Sequence, residues 1–155
     1  RGGTVVARLA SREKFEAIRE LLREAPVFDG PEVRERIAEA VIAREKLLST
    51  GLGRGVAVAH GTTDAVQEII IALGISKEGI DYGALDDEPV HLLFLIANPP
   101  GKQPEYLLAL AAVARLVRDD AFRDSLRQEA PSAAIEQRIC DAFSESLKNY
   151  LPATA

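Results

Sequence analysis

The stretch Ser49-Thr50-Gly51-Leu52-Gly53-Arg54-Gly55-Val56-Ala57-Val58-Ala59-His60-Gly61 contains the pattern that most constrains the fold of this chain. A glycine-rich segment leads into four small apolar residues, 56–59, and that run predicts a short buried strand. His60 follows directly, so we expect it at the end of the strand, with little side-chain bulk around it. This position is unusual for a core histidine and suits a nucleophile.

The chemistry of His60 leaves two interpretations open. The pKa of an unperturbed imidazole is about 6.5, so most of the ring is neutral at pH 7. A neutral ring offers one nitrogen as a nucleophile while the other donates a hydrogen bond that fixes the tautomer. The alternative is a structural histidine bonded to a backbone carbonyl. The chain's other histidine, His91, begins a predicted strand and is interpreted as structural.

The glycine-rich segment before the strand predicts an anion site. Glycine permits positive φ angles and lets backbone N–H groups approach an anion closely. The segment lacks the Lys-Ser or Lys-Thr ending of a P-loop, and it follows a helix instead of preceding one. A plain turn after a helix is the alternative. The candidate anion-binding residues are Thr50, Gly51, Gly53 and Gly55.

Arg44 interrupts the apolar face of the predicted second helix, which carries Val33, Ile37, Val41 and Leu48. A guanidinium on such a face is costly unless it is paired or reaches a cleft. It lies one turn before the glycine segment, so it can extend toward His60, and its planar fork suits a phosphoryl dianion. The alternative is an extended side chain paired with Glu45 or Glu39.

The rest of the chain predicts an α/β fold. Ser11 is a candidate cap for a helix ending near Glu24, Pro31 begins a second helix to about Leu48, and Asp119 can cap a later one. Further helices are expected around residues 107–117 and after Ser132, which can cap the last one. The nearly continuous apolar runs 69–73 and 90–97 are typical of strands covered on both faces. We therefore expect one domain, residues 1–155, with a central mixed sheet flanked by helices on both faces.

Composition excludes several classes of function. The formal charge of −5 and the lack of a basic stripe argue against nucleic acid as the main partner. No apolar run reaches the roughly 18 residues needed to span a membrane, and no signal peptide is visible. The single cysteine, Cys140, excludes an internal disulfide, fits a reducing cytoplasm, and has no metal-spaced partner. Because the chain lacks methionine, we expect it to be part of a longer protein.

The motif around His60 resembles the enzyme IIA domain of the fructose–mannitol class of the bacterial phosphoenolpyruvate:sugar phosphotransferase system, including its nitrogen-regulatory relatives. The family pattern is an Arg-Glu pair, then Ser-Thr-Gly, a glycine turn and a small-residue strand ending at histidine. The matching segments here are Arg44-Glu45, Ser49-Thr50-Gly51 and Ala57-Val58-Ala59-His60. The similarity continues through residues 77–81, 89–95, 107–117 and 119–126, and so covers nearly the whole chain.

This resemblance implies a function for each residue of the motif. His60 would accept a phosphoryl group from the HPr-like phosphocarrier protein and pass it to an enzyme IIB domain, while Arg44 steadies the phosphoryl oxygens. It implies no metal or organic cofactor. Two departures matter: Ala59 stands where the family usually has proline, and Tyr106 stands at the position of a second family histidine. A regulatory domain that binds partners with weak or no onward transfer is therefore the alternative.

Overall fold

The computed structural model describes residues 3–148. The helices are α1 (Lys14–Glu24), α2 (Pro31–Leu47), α3 (Gln103–Leu116), α4 (Asp120–Arg127) and α5 (Ser132–Lys148). The strands are β1 (Val5–Val6), β2 (Gly51–Gly53), β3 (Val56–Thr62), β4 (Ile70–Ile80) and β5 (Val90–Asn98). No helix within this described range combines the length and the apolar character needed to cross a bilayer.

The strands form one mixed sheet in the order β1-β4-β5-β3-β2. β5 lies at its centre, parallel to β3 and antiparallel to β4. β1 runs parallel to β4, whereas β2 and β3 form an antiparallel hairpin. The predicted α/β class with a central mixed sheet is confirmed.

Helices cover both faces of the sheet, as predicted. Leu93 and Leu95 of β5 pack with α1 and α2 in one core, while Phe94 and Ile96 pack with α3, α4 and α5 in the other. All four side chains are almost fully buried. The continuous apolar run of β5 follows from this double coverage, because neither face of the strand meets water.

Helix starts follow local chemistry, with two corrections. The prediction that Ser132 caps the last helix is wrong, because Ser132 is the first residue of α5 and the carbonyl of Pro131 accepts the first N–H groups. Pro31 begins α2 and Asp119 caps α4 through two backbone N–H groups, both as predicted. The prediction that Ser11 caps the first helix is wrong, because the Glu13 carboxylate is the cap and accepts the Glu16 N–H. Ser11 instead donates its N–H to Glu20, in a segment held extended alongside β4.

The strands run further than the apolar runs indicated. β3 continues through Thr62, which pairs with Asn98, so His60 lies inside the strand and the prediction that it ends the strand is wrong. β4 continues from its apolar half to Ile80 through exposed Lys77 and Glu78. Thr62 pairs with Asn98 of the central strand, and Ile80 pairs with Val90 after an irregular segment, residues 76–79, that has no register partners. Neither extension leaves an apolar pattern in the sequence.

Candidate functional site

His60 projects from β3 onto the face of the sheet that carries α3. Alternate residues Val56 and Val58 are buried in the core on that side, and His60 continues the same alternation as a half-buried side chain. Its ring contacts the ring of Tyr106, with centroids 5.4 Å apart and planes inclined by 43°. Tyr106 lies in the first turn of α3, so this helix forms one wall of the site.

The orientation of the imidazole is set within its own strand. His60 Nδ1 lies 3.1 Å from the carbonyl oxygen of Val58. A carbonyl only accepts hydrogen bonds, so Nδ1 carries the proton in the neutral ring. Nε2 is then left with its lone pair, which is the arrangement that a nucleophilic imidazole requires.

The outer edge of β3 is open beside His60. β2 pairs with β3 at Val56 and Ala57, and the last bond of the hairpin runs from the Val58 N–H to the Thr50 carbonyl. In the part of the chain that the structure describes, no strand continues this pairing beyond Val58. A side chain from the opposite layer can therefore reach the imidazole around this edge.

Arg44 is the side chain in that position. It is half-buried near the end of α2, and its Nη1 donates to the Leu48 carbonyl at 2.9 Å. Its charge acts on both His60 and Tyr106. Leu48, which the sequence assigned to the buried face, is exposed, and the suggested pairing of Arg44 with Glu45 is wrong because Glu45 pairs with Lys14.

The surroundings keep His60 neutral. Burial lowers the pKa of the imidazole below its usual value, and the positive charge of Arg44 lowers it further. The hydrogen bond to Val58 and the negative charge of Glu45 oppose this shift without cancelling it. Burial also raises the pKa of the Tyr106 hydroxyl, and this effect outweighs the positive charge of Arg44, which lowers it. The Tyr106 hydroxyl is therefore neutral as well.

Glu45 holds the segment that follows α2, a role the sequence did not reveal. Its buried carboxylate accepts the Thr50 N–H at 2.9 Å, the Thr50 hydroxyl, the Tyr82 hydroxyl at 2.8 Å and the Lys14 ammonium at 3.2 Å. Burial raises the pKa of Glu45, but these hydrogen bonds outweigh burial, so its pKa lies below the usual value. An Arg-Glu pair that precedes Ser-Thr-Gly is the only sequence signal for this contact.

Two glycines bring the parts of the site close together. A Cβ at Gly61 would lie 2.7 Å from the backbone nitrogen of Val41, so β3 and α2 approach more closely than a side chain allows. A Cβ at Gly51 would lie 2.7 Å from the Cβ of Ala84. Gly61 in particular allows the short distance between α2 and the strand that carries His60.

The family comparison agrees with this geometry. The model of the phosphoenolpyruvate-dependent sugar phosphotransferase system EIIA 2 family matches residues 3–141. The chain belongs to this family. Its fold and its motif are thus those of an EIIA domain, as the sequence resemblance implied.

Relatives of this EIIA domain include both transport and regulatory proteins. The nitrogen regulatory protein of Bradyrhizobium diazoefficiens is 34% identical over 131 residues, covering 84% of this chain and 85% of that protein. The fructose-specific EIIABC component of Bacillus subtilis is 33% identical over 142 residues and 92% of this chain. The chain spans only 22% of the length of that multidomain relative.

Solved EIIA structures share the fold. The nitrogen regulatory protein IIA-Ntr from Neisseria meningitidis superposes with a TM-score of 0.78 at 27% identity, covering 88% of this chain and 92% of its own. Enzyme IIA mannitol from Escherichia coli, solved in complex with phosphorylated enzyme IIB mannitol, gives a TM-score of 0.70 at 22% identity, covering 92% and 94%. The second likeness shows the fold alone.

The EIIA fold brings together some of the predicted site residues and separates others. His60, Arg44 and Tyr106 form one cluster, and Thr50 is linked to it through Glu45 and the hairpin. Gly53 and Gly55 lie at the other end of β3, and Gly55 is about 16 Å from His60 along an extended strand. These two candidate anion-binding residues therefore lie away from the cluster around His60.

The structure gives no indication of a metal centre in its described part. Among residues 3–148, no three histidine, cysteine or acidic side chains are grouped as metal ligands would be. His60 and His91 lie on different strands, and each directs Nδ1 to a backbone carbonyl.

Proposed function

We propose that His60 Nε2 accepts a phosphoryl group from an HPr-like phosphocarrier protein and passes it to an enzyme IIB domain. The single observation that carries this proposal is the bond between His60 Nδ1 and the Val58 carbonyl, which leaves Nε2 with a free lone pair. That lone pair attacks phosphorus while the bond from phosphorus to the donor's nitrogen breaks, and the donor imidazole recovers its electron pair. Transfer to the IIB acceptor repeats the step with His60 as the leaving group.

Arg44 and Tyr106 would stabilise the transferred group in different ways. A guanidinium has five N–H donors. Arg44 uses one of them in its hydrogen bond to the Leu48 carbonyl, so the others are available to phosphoryl oxygens. Tyr106 supports the imidazole by ring contact and offers only a neutral hydroxyl. Positioning and charge stabilisation account for most of the catalysis in such phosphoryl transfers.

The surface around the site suits a visiting protein. Leu47 and Leu48 are exposed beside Arg44 at the end of α2, and Leu107 and Leu108 are exposed directly after Tyr106. Exposed apolar side chains grouped around a polar centre are typical of protein interaction sites. We assign these four leucines to the docking surface of the phosphorylated donor and acceptor.

Phosphorylation with a matched control tests the proposal. The chain, incubated with phosphoenolpyruvate, enzyme I and HPr, should acquire one acid-labile phosphate. His60→Ala should abolish the labelling, whereas His91→Ala should retain it, because the chain has only these two histidines. Labelling that persists in His60→Ala, or a wild-type chain that stays unlabelled with its cognate HPr, would contradict the proposal.

A regulatory role is the second candidate. Tyr106 at the position of the second family histidine removes a group that could carry positive charge, and relatives such as IIA-Ntr carry regulatory names. In this case the domain would bind its partner and transfer phosphate weakly or not at all onward. Labelling of His60 that is not discharged by any IIB domain would favour this second function.

A further inference from the structure

A small basic pocket lies at the opposite end of β3 from His60. Its volume is about 160 Å³, enough for roughly five water molecules. The lining residues are Arg54, Gly55, His91, Leu92, Arg123, Asp124 and Arg127. None of them belongs to the His60 site, from which the Arg54-Gly55 turn is separated by about five strand residues, or roughly 16 Å.

Three arginines give the pocket its character. Arg123 is largely buried and donates to the Val117 carbonyl and the Asp120 carboxylate, which leaves three of its five N–H donors for other partners. Arg127 is one turn further along α4, so both guanidinium groups lie on the same side of that helix. Within the described part of the chain, no carboxylate pairs with Arg127.

The third arginine is held in an unusual backbone conformation. Arg54 and Gly55 form the two-residue turn of the β2–β3 hairpin, with φ angles of 57° and 78°. This left-handed turn favours Asn-Gly, and an arginine there is rare. The Asp86 carboxylate stabilises it by accepting the Arg54 N–H at 2.8 Å. The turn therefore presents a cation at the pocket in spite of the backbone preference.

Acidic groups contact part of the cluster. Asp124 lines the pocket, the exposed Asp120 bonds Arg123 and lies 3.9 Å from Arg54, and Asp86 accepts the Arg54 N–H. Three carboxylates thus lie beside the three arginines, and in the described part of the chain none of them pairs with Arg127. His91, which also lines the pocket, directs Nδ1 to the Ser76 carbonyl at 2.8 Å.

We propose that this pocket binds a small phosphoryl-bearing anion, either inorganic phosphate or a phosphomonoester, at a second site distinct from His60. Planar guanidinium groups bind two oxygens of such an anion at once, and the Arg54 and Arg127 side chains that line the pocket are exposed. Binding of a small phosphorylated molecule would then contact the turn of the β2–β3 hairpin, whose first strand directly follows Thr50. This inference stands independently of phosphoryl transfer at His60.

Titration of the intact chain, followed by amide NMR spectra, tests the second site. Inorganic phosphate and a small phosphomonoester such as glycerol 3-phosphate are compared with chloride at equal ionic strength. The amide signals of Gly55 and Leu92 should shift and saturate with at least one of the two phosphoryl probes, and the tighter probe identifies the source of the ligand. Arg54→Gln and Arg127→Gln should each weaken that binding about tenfold.

Two controls separate this site from the rest of the molecule. Arg19→Gln makes the same charge change on α1, in an exposed pair with Glu35 on the other face of the sheet, and should leave binding unchanged. His60→Ala should also leave it unchanged. Absence of saturable shifts with both probes, binding that survives both pocket variants, or binding that is lost in His60→Ala would each overturn the proposal. Because both pocket arginines are exposed, their variants should keep the wild-type melting temperature.

Discussion

At the scale of single residues, the protonation and the tautomer of His60 have different causes. The tautomer depends on the Val58 carbonyl two residues earlier in the same strand. The protonation state depends on burial and on the charge of Arg44, which extends from α2 on the other face of the sheet. A neutral ring at physiological pH is what a nucleophile needs, and here no neighbouring base is required to produce it.

The titration of His60 should show this effect directly. Because burial and then Arg44 lower the imidazole pKa, the NMR titration midpoint should lie below 6.5. Arg44→Gln removes the positive charge that lowers the pKa and should move the midpoint upward, whereas Arg19→Gln should not move it. The ring ¹⁵N shifts should identify the neutral form as the Nδ1–H tautomer. A wild-type midpoint above 6.5 would contradict this account.

Tyr106 gives a second prediction at this scale. The phenol packs against the imidazole but stays neutral, since burial raises its pKa. Tyr106→His would place a group that can carry positive charge beside the phosphoryl group, so labelling of His60 by phosphorylated HPr should become faster. Tyr106→Phe serves as the control that keeps the ring contact. An unchanged or slower rate in the histidine variant would remove this explanation of the position.

At the scale of elements, the contact between β3 and α2 determines how Arg44 meets His60. Gly61 has no side chain, so the strand approaches the helix backbone at Val41. Arg44 follows Val41 by about one helical turn, and the outer edge of β3 is unpaired there. The close approach of β3 and α2 thus depends on the missing side chain at Gly61.

Gly61→Ala should separate the two elements. The added Cβ would meet backbone atoms of α2 that cannot move individually, and we expect a loss of about 1–3 kcal/mol in the free energy of unfolding. For a domain of this size the melting temperature should fall by about 5 °C. Gly3→Ala is the control, because its Cβ would meet only ordinary contacts at 3.6 Å. Equal melting temperatures for both variants would contradict the prediction.

Sequence patterns predicted which helices and strands form. They were less successful at predicting where those elements end and which polar side chains contact one another. α2 was predictable because Pro31 marks its start, and β5 because both of its faces are buried. β1, with two residues, depends on pairing with β4, and the polar residues of β4 fall in a segment where its pairing with β5 is irregular; no local pattern reveals either feature. Glu45 was missed as a buried group for a similar reason: its four partners come from α1, Thr50 and Tyr82.

At the scale of the whole molecule, Glu45 joins segments that are far apart in the chain. Its carboxylate links α1, the end of α2, the hairpin and the loop after β4 through Lys14, Thr50 and Tyr82. The Lys14 ammonium also lies 4.8 Å from the centre of the Tyr82 ring. A buried carboxylate with this many donors is stabilising only as long as it stays ionised.

Glu45→Gln should therefore destabilise the fold in a pH-dependent way. Replacing the charged acceptor should cost about 2 kcal/mol in the free energy of unfolding at neutral pH. The folded-state pKa of Glu45 is lowered, so its contribution is present above the unfolded value of 4.5 and is lost as pH falls through the folded one. The difference between wild type and variant should thus shrink in acid.

Chemical denaturation between pH 7 and pH 3 provides the measurement. Glu35→Gln is the matched control, since Glu35 is an exposed partner of Arg19 and its loss should change the unfolding free energy by less than about 0.5 kcal/mol. A Glu45→Gln variant as stable as the control at neutral pH, or a difference independent of pH, would rule out the carboxylate as a structural link.

The open border of β3 has one more consequence. The His60 imidazole lies on the face of the sheet that carries α3, and the Arg44 guanidinium comes from α2 on the other face. The two groups approach each other at the unpaired edge of β3. A fragment that ended after Asn98 would keep the nucleophile and the cation but lose the aromatic wall supplied by Tyr106. Complete assembly of all three layers is thus needed to bring the imidazole, the guanidinium and the phenol together.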